Sequence, residues 1–190
     1  MTHANSTKTD SDPRALSLWL DWITHRLGRH PRGLRAIAAW NERGEPTVIR
    51  VASVVDGKPF PTLFWLIDAD LCLRLDRLEA AGYIAQLQSQ INSNHDLRQS
   101  MVCDHERHRT LRDTFLYDQE RELLERKGMM AALTERGIGG ITEPTRVRCL
   151  HTWFAAHLVQ ANTVGRLTEA LLAASSAEAA TPSNGVVANT

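Results

Sequence analysis

Apolar positions recur with a helical period over most of the 190 residues and with a strand-like pattern over one early stretch. Leu16, Leu20, Ile23 and Leu27 follow Asp12-Pro13, a capping side chain and a residue suited to the first helical position, so the spacing predicts a helix that stops near Gly28. From Leu34 to Leu66 the pattern changes. Ile37 to Trp40, Thr47 to Val55 and Phe60 to Leu66 are β-branched or aromatic runs, separated by Asn41-Glu42-Arg43-Gly44 and by Asp56-Gly57-Lys58-Pro59. Two turn signals between three such runs predict an antiparallel meander. Pro59 and Pro61 confine the start of the third run to an edge or entry position. That run is apolar almost throughout, so it is either covered on both faces or offered to a partner, and a homodimer through it stays open.

Everything after Ile67 has the period of helices. Leu71, Leu75 and Leu78 mark a helix over Asp70 to Ala81, stopped by Gly82, and Ile84, Leu87 and Ile91 mark the next. A long, charged helix is expected from near Asn94 to Lys127. Its stripe reads Leu97, Met101, His105, His108, Arg112, Phe115, so two histidines and an arginine stand where leucine is usual. A short helix over Met129 to Glu135, a glycine turn at 137–140, a helix from about Thr142 to Ala161 and a last one over residues 166 to 174 complete the pattern. The fold class expected is α+β: one domain over residues 13–174, a small three-stranded antiparallel sheet packed with about six helices, one of them long, between disordered tails at 1–12 and 175–190.

Composition narrows the partners. Positive and negative side chains balance at 22 each, which removes any global field that would favour nucleic acid or an acidic membrane surface. Anion affinity must therefore be local. Cys72, Cys103 and Cys149 are odd in number and form no CxxC, so they indicate neither a disulfide framework nor a zinc ribbon, and a reducing compartment fits them. The first residues lack the basic and apolar regions of a signal peptide, and no apolar run approaches the roughly 20 residues needed to span a bilayer. A cytoplasmic location is expected.

Two kinds of chemistry are written into the remaining residues. The first is anion binding. Arg26, Arg29, Arg32 and Arg35 fall in one glycine- and proline-bearing loop, Gly139 and Gly140 sit in a turn whose amides could converge as a nest, and Arg146 lies near the start of the expected Thr142 helix. The second involves Cys149 and His151, with His105 and Glu106 on the long helix and Asp68 after the third strand as further groups. Zinc accepts such a mixture of sulfur, nitrogen and oxygen. Residues two apart on a helix point about 200° away from each other, so Cys149 and His151 share an ion only if their segment is extended. On the expected helix His151 faces inward, towards His105 and Arg112. His105-Glu106-Arg107-His108 is not HExxH, and no metal signature of fixed spacing is present.

Several blocks, taken in order over roughly Arg26 to Leu171, resemble a bacterial family catalogued as domain of unknown function 501. RLGRHPRG at 26–33 is similar to the family's RLGRPPRG, PFPTLFWL at 59–66 to PFPTLYYL, RLEAAG at 77–82 to RLEA-x-G, RVRCLH at 146–151 to RVKCLH, and NTVG at 162–165 to NP-x-G. The resemblance places Arg29, Arg32, His105, Glu106, Arg112, Cys149 and His151 on motif positions and leaves His108 off them. Asp68 stands in a block where the family often has cysteine or histidine, and His157 lies one residue after the family's second histidine. The family name implies no activity. The leading expectation is a non-enzymatic module for a small anion, phosphate-bearing or otherwise, or for a protein partner. The site would hold Arg29, Arg32, Arg112, Gly139, Gly140 and Arg146. The alternative is a metal- or cysteine-dependent hydrolase, with His105, Glu106, Cys149 and His151 as catalytic candidates and Asp68, His105 and His151 as metal candidates.

Overall fold

The computed structural model describes residues 11–180. Helix α1 (Pro13–Leu27) begins where expected: the Asp12 carboxylate accepts from the Arg14 amide at 2.9 Å, and Gly28 ends the helix in the left-handed region. Strands β1 (Leu34–Trp40), β2 (Pro46–Val51) and β5 (Phe64–Leu66) form an antiparallel sheet in the order β1-β2-β5. The second expected run is interrupted after Val51. Val54–Val55 (β3) and Lys58–Pro59 (β4) fold back on each other around Asp56 and Gly57, both at positive φ, as a separate two-stranded ribbon. After Pro59 and Pro61 the third run joins β2 only near its end, the Leu63 carbonyl accepting from the Val51 amide at 3.0 Å and Phe64–Leu66 pairing with Val48–Arg50.

Alternation along β2 divides the core. Ile49 and Val51 face Ile23, Trp19 and Trp22 of α1, whereas Val48 joins the larger cluster beneath the remaining helices. The sheet is thus covered on both faces, which explains why all six residues of β2 are buried.

Among the described residues there are eight α-helices rather than about six: α1, α2 (Ala69–Ala80), α3 (Tyr83–Ser93), α4 (His95–Asp113), α5 (Asp118–Arg126), the single turn α6 (Ala131–Thr134), α7 (Leu150–Val159) and α8 (Thr163–Ala180). The expected long helix is two. It tightens at its end, where Phe115 and Leu116 donate to the carbonyls three residues back, and the chain then extends at Tyr117, whose amide is accepted by the Glu120 carboxylate at 3.2 Å. The expected Thr142 helix is shorter still. Residues 142–149 form a turn and an extended strap, held by Gln88 of α3, which donates to the Thr145 carbonyl and accepts from the Val147 amide, both at 2.9 Å. Helix α7 starts only at Leu150. At the C-terminus α8 continues past Ser175 to Ala180, and residues 1–10 and 181–190 of the expected tails lie outside the described residues.

Candidate functional site

Cys149 is the last extended residue before α7, with φ −158° and ψ 126°. This corrects the helical geometry expected there. Because the backbone turns into the helix between Cys149 and His151, the two side chains meet instead of diverging: the sulfur lies 3.7 Å from His151 Nδ1. Helix α2 completes the cluster. Glu79 Oε1 accepts from the Leu150 amide at 2.6 Å, which caps α7 from outside, and lies 3.2 Å from the same Nδ1. The other ring nitrogen, Nε2, is 3.2 Å from the Cys72 carbonyl oxygen and 3.4 Å from Asp76 Oδ1. Cys72, Asp76 and Glu79 stand at i, i+4 and i+7 of α2, one face of one helix.

Both nitrogens of His151 therefore face acceptors. With Nε2–H donating to the Cys72 carbonyl, Nδ1 is left facing the Glu79 carboxylate and the Cys149 sulfur, where a proton or a metal ion would be held by both. The Cys149 sulfur is the first cause that holds the imidazole protonated up to about 9, ahead of burial, which opposes it, and of Glu79, which assists. Burial, then Asp76 and Asp68, push the Cys72 thiol up to about 11. The Cys149, His151 and Glu79 groups are half-buried, so an ion can reach them.

The remaining candidates lie elsewhere. Asp68 caps α2, its Oδ1 accepting from the amides of Asp70 and Leu71 at 3.1 Å each. His105 is buried in α4, edge-on to Trp153, and its Nδ1 accepts from the Ile138 amide at 2.9 Å. It fastens the glycine turn. His108 is buried against Phe64, and Glu106 is exposed beside Cys103 and Arg107. His157 accepts from the Asn162 amide at 3.1 Å in the corner between α7 and α8.

The anion candidates do not gather. Arg29 stacks on Trp65 at 4.9 Å, Arg32 pairs with Asp56 at 3.0 Å, and Arg26 stacks on Trp22 at 4.7 Å. Arg112 is buried and donates to the carbonyls of Pro61, Leu133 and Arg136. Gly139 adjoins Thr152, Gly140 adjoins Pro61, and Arg146 is exposed on the strap. Three of the turn's amides are already bonded, Gly137 donating to the Ile141 carbonyl, Ile138 to His105 and Gly140 to the Gly137 carbonyl. Sequence reasoning missed Glu79 and Asp76, although their spacing with Cys72 on one helical face was there to be read.

The architecture is of the α+β class: a three-stranded antiparallel sheet between one helix and a helical layer that carries this cluster. No curated protein and no solved structure matches the chain. A family model described as "Protein of unknown function (DUF501)" matches residues 37–170, and the chain belongs to that family. The match takes in all five residues of the cluster and leaves the arginine loop before β1 outside it.

Proposed function

We propose that the protein binds a thiophilic divalent cation, zinc in the first instance, through Glu79, Cys149 and His151. Of the two readings the sequence leaves open, the metal-dependent one has geometry behind it. Zinc holds sulfur at about 2.3 Å and nitrogen or oxygen at about 2.0–2.2 Å, so a tetrahedral ion needs about 3.6 Å from sulfur to nitrogen and about 3.3 Å from nitrogen to oxygen. The sulfur here is 3.7 Å from Nδ1 and the carboxylate oxygen 3.2 Å from it, and this is the observation that carries the reading. The contacts at His151 Nε2 support it, because a metal-bound imidazole commonly gives its second N–H to a carboxylate or a carbonyl. Three protein ligands leave a fourth position for water, as in zinc centres that activate water and unlike closed structural ones.

Metal analysis of protein purified without chelator tests this. One zinc per chain is expected, with loss of the ion in Cys149→Ser and His151→Ala variants that keep their circular dichroism. A wild-type chain that neither retains zinc nor takes up cobalt with a thiolate charge-transfer band overturns the proposal. Asp76→Asn should weaken the ion by about tenfold, the lower end for a residue that orients a ligand, since its carboxylate is largely exposed.

The same geometry favours one second reading. A sulfur beside an imidazole whose far nitrogen is held by a carboxylate is also the arrangement of a cysteine nucleophile with its base. Metal-free protein in which iodoacetamide alkylates half-buried Cys149 faster than exposed Cys103 would select it.

A further inference from the structure

Positive charge that the Cys149 cluster does not use collects on α4. Arg109 and Arg112 line an open pocket of about 270 Å³ together with Thr110 and Asp113 of the same helix and Leu133 and Thr134 of α6. Arg112, 2 % exposed, donates to three backbone carbonyls. Carbonyl dipoles solvate a guanidinium but leave its charge uncancelled. Asp113, the carboxylate of the pocket, is taken: its Oδ1 accepts from Arg121 Nη2 at 2.7 Å. Arg109 is half-buried and has no hydrogen-bond or ion-pair partner among the described residues. Its charge bears on its neighbours. After burial, Arg109 is the next cause that lowers Arg112 to about 10, and it also depresses the buried His105. Two like charges are held close together, one of them out of water, and Asp113 offsets Arg112 only in part while it is bonded to Arg121, an arrangement that costs energy until a further counter-charge arrives.

We propose that this pocket binds a small phosphate-class dianion, with the free Arg109 fork closing on it, the Thr110 hydroxyl donating to it and Arg112 supplying charge from the floor. A compact dianion suits the place better than a monocarboxylate, because it balances both guanidinium groups from one position. The apolar remainder of the lining, Leu116, Met130 and Leu133, bounds the pocket and raises the strength of each charged contact.

The full chain is titrated calorimetrically with inorganic phosphate, diphosphate and glycerol phosphate at constant ionic strength, with chloride as the control. Saturable one-to-one binding of at least one phosphate is expected. Arg109→Gln should weaken it by at least about tenfold, the loss of a charge-assisted hydrogen bond, while the melting temperature of the ligand-free protein does not fall, since one of two like charges has been removed. Tighter binding of glycerol phosphate than of inorganic phosphate would mark the ligand as the end of a larger molecule, and the reverse order would mark a free anion; either supports the pocket. Heats no greater than those of chloride for all three phosphates, or equal affinity in Arg109→Gln, overturn it.

Discussion

Gly137 shows how far a single position in this protein is fixed by a partner remote in sequence. Its φ of −93° is ordinary, yet a Cβ there would lie 1.7 Å from His105 Nδ1, inside the ring that accepts from the next amide. Gly137→Ala should therefore destabilise the fold by about 3 kcal/mol, at the upper end for overpacking, read as a lowered urea midpoint. His105→Leu leaves the buried Ile138 amide without its acceptor and should cost about 1–3 kcal/mol by the same measurement. The sequence marked both places, the histidine as a polar group on an apolar stripe and the glycines as a turn. What it could not show is that they meet, since 33 residues separate the bonded pair.

The elements that were read well are those whose signals are local. Asp12-Pro13 and Gly28 delimit α1, Gly82 follows the end of α2, and turn residues separate the strands, whereas Asp68, taken from the sequence as a metal candidate, is the cap of α2. Two of the boundaries that moved depend on groups that pattern does not reveal. Between α4 and α5 there is neither glycine nor proline, only a carboxylate at Glu120 reaching back to Tyr117. At the start of α7 the cap is Glu79, from another helix, and the preceding strap is held by Gln88. This accounts for the misjudged direction of Cys149. Glu79→Gln separates two roles of that residue. It keeps an acceptor for the Leu150 amide, so the melting temperature should hardly move, while zinc affinity falls; Glu79→Ala should lower both, the lost cap costing about 1 kcal/mol.

Across the molecule, the sheet has α1 on one face and the main helical core on the other, and the polar groups sealed in that core set its response to acid. Burial first, then the charges of Arg109 and Arg112, lower His105 to about 4 and His108 to about 3, with Asp104 opposing the shift at His105. Both histidines have an ordinary value of 6.5. Below that pH the unfolded chain binds protons that the folded chain does not, so the stability is complete above it and declines as the pH falls towards about 4 and about 3. The slope is about 1.4 kcal/mol per pH unit for each group. Urea midpoints measured between about pH 7 and about pH 5 should drop, with His157, also lowered by burial, adding to the fall, and less steeply in His108→Leu, which removes one of these protons. An equal slope in that variant would remove His108 from the account. No helix among the described residues is long and apolar enough to cross a membrane.

The bond from the Leu150 amide to Glu79 has one more use. That hydrogen sits between the sulfur donor and the imidazole donor in sequence and on a shared carboxylate in space, so any change in the electron density of the carboxylate alters its shielding and its exchange with deuterium. One backbone resonance, in a protein labelled only with nitrogen-15, would then report occupancy of the cluster during a titration, without a chromophore and without altering a single side chain.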